Sequence, residues 1–460
     1  MQSDALKTIL ALARAGATSR AWEAFVAAGF DRREADFHAL TLKGRLLKDR
    51  ARQAPANARA ALFVEAGAAY ERAAAVGEES YPLINAAAMA VQAGDRAKAG
   101  LLAGRVLHLI ESGAERGETP YWGKATHAEA LLLLGRVDDA RACLASAVAL
   151  APQAWEDHAV TLRQFALILG ELEQDSDWLD RYRPPPVMHF NGILGIAADD
   201  GAAHDAIGAA VAAIAPGFAY GALAAGADII AAEAVLREGA ELHVVLPSER
   251  EDFRASSVTP LGADWEHRFD RLLSHAESVA ICDSDEGTST AGVALAELHA
   301  MGLAVEKADQ LQTRAVALRI EPAHRPALGD PWLHSGRPIH HVAVTALLDS
   351  AVARLPEGKL KFDVALDGGP PFSFDTIEEA VAAIRSSGQE MAALDCRTGD
   401  QIRVRTLLSH SNYGMIAATR SAALALLATG LASRIETIGE LGTAEGPLEI
   451  CLAALAGTDG

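Results

Sequence analysis

The chain has 460 residues, with 61 acidic and 41 basic side chains, a net charge of −20 and a pI near 5.2. This length is too great for one hydrophobic core and predicts two to four domains. The acidic balance argues against nucleic-acid and acidic-membrane partners, and a half-apolar composition excludes global disorder.

Residues 1–183 are predicted to be helical, because alanine, leucine and arginine dominate and β-branched runs are absent. Short breaks at Gly94-Asp95 and Gly135-Arg136 each separate two amphipathic stretches. Residues 127–152, HAEALLLLGRVDDARACLASAVALAP, are typical of a tetratricopeptide hairpin, and residues 84–109 repeat the layout. Such hairpins stack into a solenoid whose concave face binds proteins. A plain helical bundle that supports its neighbour is the alternative.

The proline run after Arg183 ends the helical region and opens a part with strands alternating with helices. We predict strands at the start of residues 187–197 and at residues 241–247, and a buried strand at residues 278–282. Helices of 10 to 15 residues separating strands indicate right-handed βαβ units. Residues 184–329 are therefore predicted to form an α/β Rossmann-like domain with a parallel sheet.

Ligands of such sheets bind at the carboxyl ends of the strands, and three stretches fall there. They are Asn191-Gly192, residues 220–228 and residues 283–290. Small residues in the second stretch allow backbone N–H groups to approach a phosphate at the start of a helix. The same residues are also typical of tight helix–sheet packing, so the pattern alone leaves both interpretations open.

The segment GALAAGADIIAAEAVLREGAELHVVLP resembles the glycine–small-residue–GAD–helix–strand segment of the SLOG superfamily of Rossmann-like nucleotide-binding domains. The segments RPPPVMHF and VVLPSEREDFRASSV resemble segments typical of a bacterial set in which this domain follows a tetratricopeptide-like region. The helical part resembles the TRAF-binding-type tetratricopeptide region of apoptosis-signal-regulating kinases. Together these likenesses cover about residues 55–300.

The resemblance implies recognition of a nucleotide or nucleotide-derived ligand. The predicted ligand-binding residues are Gly192, Gly221, Gly226, Asp228, Glu233, Asp283 and Thr288, with Arg250 and Arg254 as phosphate contacts. The two arginines could instead form surface ion pairs with the acidic residues beside them, Glu249, Glu251 and Asp252.

Hydrolytic SLOG members carry PGGxGTxxE, whereas the corresponding place here is DSDEGTSTAGVALAE. Gly287-Thr288 remains, but Asp285-Glu286 replace the preceding glycines, and their carboxylates would repel a phosphate. This departure favours binding without catalysis. The alternative is a nucleoside or NAD-type glycoside hydrolase that works from Asp228, Glu233 and Asp283.

Residues 330–460 are predicted to form an α+β domain with helices on an antiparallel sheet. The expected elements are strands at residues 338–348 and 402–410, a hairpin around Gly368-Gly369, helices at residues 376–387 and 419–430, and an antiparallel pair over residues 433–455. Their order resembles that of class III nucleotidyl cyclases. A different α+β fold is the alternative.

Cyclase chemistry needs two metal-holding carboxylates, an asparagine and an arginine. Only Asp367 matches a metal ligand, and Thr419, Arg420 and Ala423 stand where an Asn-Arg pair and a second arginine are expected. The resemblance therefore implies a catalytically depleted module used for dimerisation or regulation.

No further motif predicts a metal or catalytic centre. His340 and His341 are adjacent on a predicted strand and would point to opposite faces, so they cannot readily chelate one metal. The four cysteines have no CxxC pair and predict buried thiols in a reducing compartment: Cys143, Cys282, Cys396 and Cys451.

Targeting signals also shape the expectation. The first residues lack the order of a signal peptide. The uncharged residues 206–227 contain Pro216-Gly217 and predict a turn between a helix and a strand, not a membrane span. We therefore expect a cytoplasmic protein.

The sequence as a whole predicts a signalling or sensor scaffold. A protein partner is expected on the helical region, a nucleotide-type ligand in the α/β domain and a homodimer through the C-terminal domain, with no other cofactor, no metal, no nucleic acid and no membrane. The alternatives are the glycoside hydrolase and a structural adaptor that binds no nucleotide.

Overall fold

The computed structural model describes residues 2–14, 16–77, 79–113, 119–282, 287–322, 331–345, 355–389, 391–398, 403–411, 414–443 and 446–457. The chain divides into two compact units, Met1–Pro184 and Pro185–Gly460. The division falls at the proline run that the sequence marks as the end of the helical region.

The first unit is helical throughout its described part, as the composition predicts. Successive helices from α1 to α8 pack against one another along the chain, and α9 packs against α5 and α7. The helices are α1 Gln2–Arg14, α2 Thr18–Ala27, α3 Phe37–Gln53, α4 Ala56–Gly77, α5 Ser80–Gln92, α6 Arg96–Glu111, α7 Pro120–Leu133, α8 Val137–Leu150 and α9 Trp155–Glu171, with short 3-10 helices at Phe30–Arg32 and Asp177–Tyr182.

Both predicted breaks are confirmed as turns between paired helices. Gly94 and Gly135 have φ values of +87° and +75°, a left-handed conformation that glycine adopts without strain. The Asp95 side chain then caps α6 by accepting the Lys98 amide. Ala130 and Ala140 are fully buried, so α7 and α8 approach closely across the second turn.

The second unit begins with a six-stranded sheet that is parallel throughout, as predicted. Its strand order is β4-β3-β2-β1-β5-β6. Strands β2 to β4 lie in sequence on one side of β1, and β5 and β6 lie on its other side. The strands are β1 Val187–Gly192, β2 Phe218–Gly221, β3 Glu241–Leu246, β4 Ser278–Ile281, β5 Ala315–Pro322 and β6 Ile339–Val344.

Helices cover both faces of this sheet. On one face lie α10 Gly201–Ile214, α11 Ala227–Arg237 and α13 Ala263–His275, with the short α12 Arg250–Ser257 beside them. On the other face α14 Thr290–Leu311 packs across β1, β2 and β3. Val187, Met188, His189 and Phe190 are consequently all buried, because both faces of β1 are covered.

Two features of this sheet correct the prediction. The strand expected to open the C-terminal domain is β6, and it pairs in parallel with β5. The strand expected to be buried, β4, lies at the sheet edge, with Val279 and Ile281 45% and 44% exposed. The uncharged residues 206–227 are confirmed as a helix, a turn and a strand, with Ala215 at φ +49° after α10.

The second sheet is mixed, with the order β11-β12-β10-β9-β7-β8, and its β9 and β10 are parallel. An entirely antiparallel sheet was therefore the wrong prediction. The elements are β7 Lys361–Leu366, β8 Phe372–Phe374, α16 Ile377–Ser387, β9 Ala392–Arg397, β10 Ile416–Thr419, α17 Arg420–Ala428, β11 Ala432–Thr443 and β12 Gly446–Leu455, after a single-turn α15 Pro331–His334.

The hairpin around Gly368-Gly369, the helices α16 and α17 and the closing antiparallel pair are confirmed. The strand predicted at residues 402–410 is wrong, because Val404–His410 forms a 3-10 helix. Val404 and Leu407 are fully buried against β9 and β10, so the apolar pattern reflects packing onto the sheet and not membership of it.

Helices α14 and α17 join the two sheets back to back. A Cβ atom added at Gly302 would lie 2.6 Å from Leu424 Cβ, so glycine permits this contact. One turn along, Arg420 donates two hydrogen bonds to the Glu306 carboxylate. In the described residues, no helix is both long and apolar enough to cross a membrane.

Candidate functional site

The carboxyl end of β1 is the topological switch point of the parallel sheet, because β2 and β5 lie on either side of it. In open α/β sheets this is where the following loops separate and leave a crevice for ligands. The loop after β1 runs from Ile193 to Asp200, where α10 begins. The predicted residues Gly192, Gly221, Gly226 and Asp228 all lie beside this loop or at the end of the neighbouring β2.

Gly192 and Gly221 end β1 and β2, and both are closely surrounded. A Cβ atom at Gly192 would lie 2.8 Å from Ile320 Cβ and would also meet Ala227. A Cβ atom at Gly221 would lie 2.6 Å from the carbonyl oxygen of Phe190. Real Cβ contacts are not this short, so both positions require glycine for helix and strand packing at the site.

Gly226 brings the β1 loop against the start of α11. Its φ of +131° is a backbone conformation available to glycine, and a Cβ atom would lie 2.7 Å from the Ile193 carbonyl oxygen. The Ala227 amide donates to that carbonyl at 3.1 Å, and the Gly195 amide donates to Ala225 at 3.2 Å. The helix N-terminus and the loop therefore meet through main-chain atoms.

Asp228 is buried at the centre of this contact. Its carboxylate accepts the Gly192 amide at 2.9 Å and the Ala224 amide at 3.3 Å, so it ties the end of β1 to the segment before α11. The pKa of Asp228 is raised to about 8, mainly by burial. The nearby Glu297 contributes to this rise, while the two amide hydrogen bonds oppose it. Its side chain thus already occupies the backbone amides of Gly192 and Ala224.

Asn191 marks the other face of β1. Its side-chain amide donates to the Glu297 carboxylate of α14. Successive strand residues point to opposite faces of the sheet. Asn191 therefore faces α14, and Gly192 faces α11.

Glu233 lies farther along α11 and faces α13. Its carboxylate accepts two hydrogen bonds from Arg268, at 2.9 and 2.6 Å, and one from Arg271 at 2.6 Å. The carboxylate is 16% exposed, and this two-arginine clamp satisfies its acceptors. The observed role of Glu233 is to fasten two helices, and its role in ligand binding stays a prediction.

Arg250 and Arg254 also face α13. Arg250 donates to Asp270 at 2.7 Å, while Arg254 lies 3.2 Å from Asp270 and 3.4 Å from Glu266. Both arginines therefore form ion pairs, as the alternative predicted. Their partners, however, are carboxylates of α13 and not the acidic residues beside the arginines in sequence.

Thr288 is buried, and its hydroxyl lies 2.6 Å from that of Ser248, which follows β3. The two hydroxyls link the end of β3 to the segment that leads into α14. Asp283, the remaining predicted ligand contact, lies outside the described residues.

A cavity of about 530 Å³ opens beside the switch point. It is lined by residues 195–198 of the β1 loop and by residues 261–265 at the start of α13. Its volume lies within the range of small-molecule pockets, about 300–1,000 Å³. Asp264 is the charged residue in this lining. Trp265 also belongs to it, but its side chain is buried and Arg268 stacks over its ring at 4.2 Å.

Sequence reasoning missed this cavity lining. The glycine pattern indicated Gly226 and Gly192, but these pack behind the loop, and residues 195–198 form the surface. In the sequence, the start of α13 is marked by Gly262 followed by the acidic residues Asp264 and Glu266. Gly262 has φ +111°, a conformation that favours glycine just before the helix.

Sequence reasoning also missed a charged cluster in the second sheet. Asp363 and Asp395 are fully buried and directly opposite each other on β7 and β9. Asp363 pairs with Arg397 and Asp395 with Arg403, so each carboxylate has its own arginine. In the part of the chain that the structure describes, no three His, Cys, Asp or Glu side chains form a metal-binding group.

The cyclase-like positions have structural contacts. Arg420 pairs with Glu306 of α14, and the hydroxyl of Thr419 caps α17 by accepting the Ala422 amide. Asp367 lies at the β7–β8 turn, where its backbone carbonyl accepts the Gln389 side chain. The resemblance to a cyclase stays a prediction.

Residues 5–90 match the family model TPR-S, tetratricopeptide repeats-sensor. The match covers most of α1, α2 to α4 and most of α5. It overlaps the start of the hairpin predicted at residues 84–109 and lies upstream of the one at residues 127–152. It supports the tetratricopeptide-like part of the prediction and indicates a sensor or protein-interaction role for this region. A search of curated proteins finds no match.

Proposed function

We propose that the chain is a sensor scaffold whose parallel sheet binds a nucleotide-type ligand beside the end of β1. The helical region engages a protein partner, and the ligand is bound without being consumed. The observation that carries the proposal is the main-chain junction of the β1 loop with the start of α11 at the switch point, next to an open cavity.

The cavity chemistry suits the uncharged part of such a ligand. The Asp264 carboxylate can accept hydrogen bonds from ribose hydroxyls, as acidic residues do in other dinucleotide sites. The phosphate would lie toward main-chain N–H groups and the positive end of a helix dipole, since no arginine or lysine lines this cavity in the described residues.

The carboxylate contacts support binding over hydrolysis. Glu233 is held by two arginines, and both oxygens of Asp228 accept backbone amides, so both side chains are engaged in contacts within the protein. The raised pKa of Asp228, about 8, is the one observation that favours the hydrolase, because a protonated buried carboxyl can act as a general acid.

Thermal unfolding with AMP, NAD and cyclic AMP tests the binding proposal. A ligand present at a hundred times its Kd stabilises the folded state by about 2.7 kcal/mol, which shifts the unfolding midpoint upward. Mass spectrometry of the same mixtures separates the two functions, because base release would identify the hydrolase. Unchanged midpoints with every nucleotide would contradict the proposal and leave the structural adaptor.

A glycine pair provides the matched control. Gly226→Ala should abolish the ligand-induced shift, because the added methyl group meets the Ile193 carbonyl. Gly239→Ala also places alanine at a positive φ, +76°, but at the far end of α11 with nothing within 4 Å. Its ligand-induced shift should remain. Equal shifts in both variants would mean that the site lies elsewhere.

The C-terminal sheet completes the proposed scaffold as a cyclase-like module that dimerises the chain. Light scattering of the purified protein over a range of concentrations tests this part. A mass of one chain at every concentration would contradict it.

A further inference from the structure

The helical unit has its own cavity, of about 570 Å³, between α1, α3 and the start of α5. Leu6 and Leu10 from α1 and Leu42 from α3 give it an apolar lining, and Tyr81, which is 38% exposed, stands at its edge. A cavity of this size fits the body of a small organic molecule.

Four permanent cations line the same cavity. Lys7 and Arg14 come from α1, Arg33 from the loop before α3 and Arg45 from α3, and Asp36 is the acidic residue among them. Within the described part of the chain, Lys7 and Arg14 form no ion pair or hydrogen bond through their side chains. Arg33 pairs with Asp36, with a distance of 3.3 Å between Nη1 and Oδ2.

Arg45 is only weakly neutralised. Its Nε lies 3.8 Å from Asp49, which also lies 3.7 Å from Arg52. One carboxylate therefore serves two guanidinium groups. The cavity keeps an excess of positive charge in a chain whose net charge is −20, so this concentration of cations is not an effect of overall composition.

We propose that this cavity binds a small organic anion, a phosphate, sulfonate or carboxylate group joined to an apolar body. The apolar body would lie on the leucine lining, and the anionic group would lie toward Lys7 and Arg14. The cations attract the anionic group, and the leucines favour contact with the apolar body. Water or a simple inorganic anion would not bury the apolar surface of the leucines.

The cavity shape favours a small molecule over a protein segment. A stable protein–protein contact buries about 800 Å² on each partner, usually over a broad surface. Here the cations line a single half-open depression between α1 and the facing part of α3. This site is separate from the switch-point cavity, and it does not depend on the proposed nucleotide site.

Fluorescence titration of the full chain with 8-anilinonaphthalene-1-sulfonate tests the inference. The uncharged N-phenyl-1-naphthylamine, which has the same ring system without the sulfonate, is the matched probe. The sulfonate should bind at one site and more tightly than the neutral probe. Raising the salt concentration should weaken binding of the sulfonate only, because Lys7 and Arg14 are solvent-exposed and their charge is screened.

The Lys7→Gln/Arg14→Gln variant should weaken sulfonate binding by about tenfold and leave the neutral probe unchanged. Arg72→Gln/Arg105→Gln removes two exposed cations of the same unit that do not line the cavity, and it should bind both probes like the original chain. Arg14→Lys keeps the charge and should keep most of the affinity. Circular dichroism checks that each variant is folded.

Equal sulfonate affinity in the two double variants would overturn the inference, and so would equal binding of the two probes. A competition experiment distinguishes a small organic anion from an acidic peptide as the occupant of the cavity. Unlabelled naphthalene-1-sulfonate should displace the probe, whereas displacement by hexaglutamate at lower concentration would assign the cavity to an acidic peptide and also overturn the inference.

Discussion

Replacing Asp228 with asparagine should remove a specific pH dependence from the stability of the parallel sheet. Folding raises the pKa of this carboxyl from 3.8 to about 8, mainly through burial. Between these values the folded state holds one proton that the unfolded state has released. The stabilising contribution is therefore complete below pH 3.8 and is lost as the pH rises through about 8.

The magnitude follows from that window of about four pKa units. One bound proton lowers the free energy of unfolding by about 1.4 kcal/mol for each unit that the pH rises, so the whole window corresponds to about 6 kcal/mol. Asparagine keeps the size of the side chain and an acceptor oxygen for one amide, but it does not titrate. The difference between the original chain and the variant therefore isolates this carboxyl.

Amide hydrogen exchange of peptides from β1 and α11 at pH 5, 6, 7 and 8 measures the opening free energy where Asp228 lies. After correction for the intrinsic exchange rate, the original chain should lose stability with rising pH by about 1.4 kcal/mol per unit more than Asp228→Asn. Asp205→Asn, at an exposed position on α10, is the control and should follow the original chain. Identical pH profiles for the original chain and Asp228→Asn would refute the reasoning.

Three further outcomes are expected. Glu233→Gln should lower the free energy of unfolding by about 1–3 kcal/mol in denaturant titrations, because two arginines lose their shared negative charge and one of its two acceptor oxygens. Arg250→Gln at an exposed pair should cost less than about 1 kcal/mol. Gly302→Ala should lower the thermal midpoint, at a cost of about 1–3 kcal/mol, while Gly104→Ala, a helical glycine with nothing within 4 Å, should not lower it. A thiol reagent should modify only Cys143 in the native chain and all four cysteines after denaturation, because the other three are buried; native reaction of a second thiol would contradict the packing.

The sequence predicted the features that depend on local chemistry. Gly94 and Gly135 occur where the chain must turn with positive φ, and apolar residues at helical spacing lie between such turns. Strands separated by helices are sufficient to predict the parallel sheet. Gly226 was named through the resemblance to SLOG domains, and the structure places it at a close main-chain contact with φ +131°.

Long-range pairing was beyond the sequence pattern. The pattern of a strand does not indicate which strand it pairs with. The position of β6 in the chain was therefore predicted, but β6 was assigned to the wrong sheet. The partners of Glu233 lie on α13, and those of Arg254 do too, although carboxylates are available beside the arginine in sequence. The apolar residues of Val404–His410 satisfy a strand and a packed 3-10 helix equally well.

The sharing of α14 by two sheets bears on how the C-terminal half can be dissected. A fragment that stops near residue 330 would lose β6 from the parallel sheet and would leave the Gly302 side of α14 without Leu424. Newly bared apolar surface of this kind favours aggregation. Pro184 is thus the natural place to cut the polypeptide, and the segment after it should be produced in one piece.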